Sequence, residues 1–168
     1  MTSPANNLAL EVAAAIKSRR QPTVVCLLEE VADFCMNEAN FSVIGDWGRE
    51  VVVQLVGYHM AKDTLTVIRD KDSGEVSGVN MWYLCNSTDG KDFLLNWEPD
   101  TPNGDTILLA FTFASNTSAF KQIALELIRK EPDVLTKKLK SLRTKGGEDG
   151  VLVDYDLRLF NKILKLKD

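Results

Sequence analysis

Apolar residues recur at helical spacing up to about residue 62 and in alternation beyond it. Leu8, Val12, Ala15 and Ile16 mark a first helix over residues 5–19. Arg19-Arg20-Gln21-Pro22 ends it, and Pro22 suits the first turn of a second helix, with Val24, Leu27, Leu28, Val31, Phe34 and Cys35 on one face. After a loop carrying Gly45 and Gly48, Asp46 is a candidate cap for a third helix striped by Val51, Val52, Leu55, Val56 and Met60. Then "TLTVIRD" (64–70) alternates, "DKDSGE" turns and "EVSGVNMWYLC" (75–85) returns, which is a hairpin in which Gly74 can supply a positive φ. "DFLLNWE" (92–98) reads as a third strand, and "PDTPNGD" (99–105) as a loop. "TILLAFTFA" (106–114) is the most apolar strand, so a central position is expected. A helix over 117–130 stops before Pro132, and a short helix over 133–142 leads to a loop with Gly146, Gly147 and Gly150. "VLVDY" (151–155) is a last strand, and 156–167 closes as a helix with Leu157, Phe160, Ile163 and Leu164 on one face, a strand over 156–161 being the alternative.

Helices, an antiparallel meander, then strand–helix–strand–helix make an α+β domain of at most three layers. The expected division is one domain over 1–155, with N-terminal helices in 5–62 and the sheet and central helix in 64–155, followed by the C-terminal helix 156–168. The 45% hydrophobic content suffices for a core, and the net charge of −4 lacks the basic footprint of a nucleic-acid protein. Basic clusters at Lys137, Lys138, Lys140, Arg143 and Lys145, and at Lys162, Lys165 and Lys167, read as solvated helix faces. Cys26, Cys35 and Cys85 are odd in number and lack metal spacing, which points to buried thiols in a reducing compartment. No stretch has the apolar length of a membrane span, and "MTSPANN" does not open a signal peptide, so a cytoplasmic protein is expected.

The element order, the hairpin "TLTVIRDKDSGEVSGVNMWYL" and Gly78 after its turn resemble the GNAT acyltransferase superfamily over roughly residues 8–155. Trp97, Pro132-Asp133 and the terminal helix are similar to its toxin-activating lysine acyltransferases. The pattern is also similar to acetyltransferase-like proteins encoded near virion genes of short-tailed phages. The resemblance implies a mostly antiparallel sheet with helices on both faces. It also implies either acyl transfer from a coenzyme A or carrier-bound thioester to an amine, or a degenerate relative that binds a protein partner or its own copies, in a virion if phage-encoded. A strand splay after "TILLAFTFA" would separate a GNAT-like sheet from an unrelated α+β domain.

The cofactor cradle of such an enzyme would fall on Ser115, Asn116, Thr117, Ser118 and Ala119, where a strand feeds a helix N-terminus. The superfamily carries Arg/Gln-x-x-Gly-x-Gly/Ala there, and this loop has no glycine to let backbone N–H groups approach a pyrophosphate. Asn116, Thr117 or Ser118 serves equally as a helix cap with no ligand. No bound cofactor is therefore expected unless the protein is catalytic. For catalysis, Glu98 is the best-placed base among Glu98, Asp100 and Asp105, and Tyr155, ahead of Tyr83, is the candidate acid for a thiolate leaving group. His59, the only histidine, falls near the end of the third helix, away from the family's histidine position, and reads as a helix-end or surface residue.

Overall fold

A computed structural model describes residues 22–38, 47–86, 88, 101, 103–143, 151–155 and 158–166. The expected helix 5–19, the strand 92–98, Asp46, Glu98, Asp100 and the glycines at 146, 147 and 150 lie outside the described residues. The elements run α1 (Pro22–Glu38), α2 (Arg49–Ala61), β1 (Leu65–Arg69), β2 (Val76–Cys85), β3 (Thr106–Ala114) and α3 (Thr117–Lys130). A 3₁₀ turn (Pro132–Leu135), β4 (Lys138–Arg143), β5 (Val151–Tyr155) and α4 (Arg158–Leu164) complete them. The fold is α+β. Its five strands lie in the order β1-β2-β3-β4-β5, all neighbours antiparallel except the parallel pair β3–β4.

Two cores sandwich this sheet, so helices cover both faces. On one face, Leu28, Val31 and Cys35 of α1 and Val52, Leu55 and Val56 of α2 meet Val79, Met81 and Tyr83 of β2. On the other, Ala124 and Leu127 of α3 and Phe160 and Ile163 of α4 meet Trp82, Ile107 and Leu139. Val76, beyond a register shift at Ile68/Arg69, faces the α1–α2 core, and from Val79 to Cys85 alternation along β2 divides its odd and even residues between the faces. In β3 it does not. Met81 pairs with Phe111 while Trp82 pairs with Leu109, so Ala110 is an extra residue, a β-bulge. Consecutive Ala110 and Phe111 therefore face the α1–α2 core together, whereas Ile107 and Leu109 face α3 and α4.

The central position expected for 106–114 is observed. The pairing of β3 with β4 covers only Thr106↔Lys138 to Leu109↔Ser141. β4 continues through Leu142 and Arg143 on β5 alone, so the two parallel strands part at the bulge.

Three expectations are corrected. Residues 133–142 are not a helix. After the turn that ends at Leu135, "KLKSLR" buries Leu139, exposes Lys138 and joins the edge of β3. Lys, Leu and Arg favour helix, but pairing and burial override that weak propensity. The basic residues Lys138, Lys140 and Arg143 accordingly lie on a strand. α2 is preceded by Gly48 at φ 81°, with no side-chain cap, and its buried set extends to Gly57, Tyr58 and His59. In α4, which is a helix rather than a strand from Arg158 onward, Phe160 and Ile163 are buried but Leu164 is 38% exposed.

Gly78 holds α3 onto the sheet. A Cβ there would lie 3.1 Å from Ile123 Cδ1 and 3.3 Å from Ala119 Cβ. Gly74, at φ 74°, supplies the left-handed turn residue of the hairpin. Replacing Gly78 with Val would force methyl groups into that contact. We expect Gly78→Val to lower unfolding stability by about 1–3 kcal/mol in urea denaturation, the usual cost of overpacking.

Candidate functional site at the start of α3

β3 delivers the chain to the end of the sheet, and the turn into α3 is built by local hydrogen bonds. Ser115 donates its N–H to Ser77 O at 2.9 Å and its Oγ hydroxyl to the same oxygen at 3.1 Å. Asn116 is the cap: extended at φ −154° and ψ 169°, it accepts the Ala119 N–H on Oδ1 at 2.8 Å. Its carbonyl takes the Phe120 N–H at 3.2 Å. Ala119 is 1% exposed and packs with Ile68 and Ile123, so it is part of the core.

The hairpin turn faces this helix start across a cleft of about 360 Å³, lined by Arg69, Asp70, Lys71 and Asp72 on one side and Asn116, Thr117, Ser118 and Gln122 on the other. Two cations and two carboxylates balance there. The Arg69 guanidinium is engaged bidentately by Glu30, both bonds at 2.8 Å, and also donates to Gly74 O. Asp70 Oδ1 accepts the N–H groups of Asp72 and Ser73 at 2.8 and 2.9 Å, which lowers its pKa. A fixed negative charge thus stands in the cleft that a phosphate would enter.

Of its two expected settings, helix end or surface, His59 takes the first: it sits at the end of α2 and is fully buried rather than on the surface. Its Nδ1 lies 2.7 Å from Thr64 Oγ1, and its ring meets Tyr83 edge-on at 4.5 Å between centroids. Nε2 has no hydrogen-bond partner among the described residues. Burial, with a smaller contribution from the Lys62 charge, pushes its pKa down to about 3. The ring is a neutral part of the core.

Of the described candidates, Tyr155 does not converge with the loop. Tyr155 is partly buried against the α3–α4 core, and it pairs with Leu139 beside the start of β3. The loop 115–119 follows the end of β3, roughly 25 Å away at strand rise. Ser115, Asn116, Thr117, Ser118 and Ala119 are contiguous, but only Asn116, Thr117, Ser118 and Ala119 line the cleft. Cys35 is buried, and desolvation raises its thiol to about 12. Cys85 is buried as well.

One polar feature escaped the sequence reading. Thr66, Asn80 and Thr112 lie side by side across β1, β2 and β3. Asn80 Nδ2 donates to Thr112 Oγ1 at 2.8 Å and to Phe111 O at 3.3 Å. A lone Asn within the apolar run "GVNMWYL" was the available signal. Among the described residues, no His, Cys, Asp and Glu cluster suits a metal ion, and no helix is long and apolar enough to cross a membrane. No family model matches the chain, and no curated protein is significantly similar to it.

Two outcomes follow from these side chains. Asn116→Ala removes the cap and should cost about 1 kcal/mol by thermal or urea unfolding. His59 should make stability fall with acid. Its folded pKa of about 3 lies below the ordinary histidine value of 6.5. The unfolded chain therefore binds a proton that the folded one refuses as pH drops below 6.5. Stability should decline by up to about 1.4 kcal/mol per pH unit. The lowered carboxylates of Glu30, Asp33, Asp70 and Glu126 start from 4.5 or less, so among the described residues with a shifted pKa the window from 6.5 to 4.5 belongs to His59. His59→Gln should flatten the stability profile in that window; an unchanged slope would contradict the buried neutral ring.

Proposed function

We propose that this chain is a binding module on a GNAT-like sheet, without acyl-transfer chemistry of its own. The observation that carries this reading is the self-contained start of α3, where Asn116 takes the Ala119 N–H and Ala119 is spent on core packing. A pyrophosphate cradle needs free amides, close backbone approach and positive charge. Here the loop has no glycine to allow close approach, and Asp70 and Asp72 offset Arg69 and Lys71 in the cleft. The parting of β3 from β4 after Leu109 supports the GNAT-like part of the proposal. The partner is a protein or further copies of this chain. Its setting is the cytoplasm, or a virion if the similarity to short-tailed phage proteins holds.

The same parting favours the second reading, an N-acyltransferase fed by acyl-CoA or an acyl carrier, because acetyltransferases often place a catalytic carboxylate beside such an opening. Calorimetry with acetyl-CoA separates the two. The binding-module reading expects no saturable heat at millimolar acetyl-CoA. Micromolar binding that Ser118→Trp abolishes would overturn it and establish the acyl-donor site.

A further inference from the structure

We propose that the edge of β1 left unpaired among the described residues captures an extended, acidic peptide as a further strand, seated between β1 and α3. This rests on the binding-module reading and names the partner's chemistry. Among the described residues β1 pairs only with β2. The bond from Trp82 N–H to Thr64 O sets the phase of that antiparallel ladder. Thr64, Thr66 and Ile68 turn their main-chain groups toward β2, and Leu65 and Val67 turn theirs outward. The Leu65 carbonyl confirms the direction, because Lys130 Nζ of α3 reaches it at 2.7 Å. Val67 then presents both an N–H and a C=O at the edge, the pair that strand addition uses.

A groove of about 480 Å³ runs along this edge, with residues 66–69 on one wall and α3 on the other. Gln122, Leu125, Glu126 and Arg129 line the α3 wall at i, i+3, i+4 and i+7, one helical face. Leu125 is 52% exposed and offers an apolar seat to alternate side chains of an added strand. Charge selects the occupant. Arg69, Arg129 and Lys130 line the groove against the single carboxylate of Glu126, in a chain whose net charge is −4. Arg69 also pairs with Glu30 and Lys130 with Asp63, while Arg129 pairs with Glu126. Glu30 holds Arg69 by two bonds, but the Glu126 and Asp63 carboxylates are 37% and 86% exposed, and pairs this open hold weakly, so a ligand carboxylate can take their place on Arg129 and Lys130.

The probe is a fluorescein-labelled heptapeptide of alternating glutamate and valine, followed by fluorescence anisotropy with the full chain. We expect saturable binding that weakens at least tenfold when alternate peptide amides are N-methylated, which removes the donors of an added strand. Arg129→Glu and Leu125→Asp, both at exposed positions, should each weaken it severalfold; circular dichroism would verify that the variants fold. No saturable binding, equal binding of a lysine–valine heptapeptide, or indifference to N-methylation would each overturn the proposal. Failure here with a silent acetyl-CoA titration removes strand addition alone. Acetyl-CoA binding lost in Ser118→Trp removes the binding-module reading itself.

Discussion

The extra residue in β3 is the constraint on which the rest of the structure depends. β3 is buried on both faces and bonded on both edges at its start, so it has to satisfy two cores at once. Ala110 lets it do so by moving the strand's alternation by one position, which gives Ile107 and Leu109 to the α3–α4 core and Phe111 and Phe113 to the α1–α2 core. A bulge also increases local twist and ends regular pairing. β4 leaves β3 at that point, and the last five residues of β3 keep only β2 as a partner. The chain then enters α3 from a strand end anchored to β2 by Ser115 and Ser77.

Close approach at Gly78 fixes where α3 lies, and the position of α3 defines both open features of this face. Its N-terminus closes on itself through Asn116 and meets the hairpin turn across a cleft of balanced charge. Its exposed side, carrying Leu125 and Arg129, runs beside the edge of β1. One end of the helix is chemically satisfied while its flank is not, which is why the flank rather than the N-terminus is the better place for a partner. His59 fits the same division. As a buried neutral ring against Tyr83 and Thr64, it contributes packing and a cost on acidification rather than a proton-transfer group.

Elements with one dominant pattern were legible in the sequence. The strand 106–114, the helix 117–130, the hairpin and the strand 151–155 needed only periodicity and turn chemistry, and Gly74 has the positive φ expected of it. Residues 138–143 were not legible, because helix-favouring Lys, Leu and Arg with leucines three apart show no strand alternation, and the strand is set by pairing with β3 and β5. The bulge was also hidden, since "LLAFTF" is apolar at nearly every position and conceals a change of phase. The cap at Asn116 was one of three candidates in the loop, and geometry alone chose among them. The burial of His59 depends on Tyr83, which is distant in sequence and adjacent only after β2 folds back over α2. The groove beside β1 combines residues 66–69 with 122–130, a juxtaposition that no local window contains.

Residue-resolved amide hydrogen exchange along β3 tests the central claim, that the sheet opens at Ala110. Within residues 106–109, amides find partners on both neighbouring strands, so the account predicts unbroken protection there. Beyond Ala110 only β2 remains as a partner, and protection should become alternating through Ala114. Unbroken protection from Thr106 to Ala114 would mean that β4 follows β3 throughout, and would contradict the account.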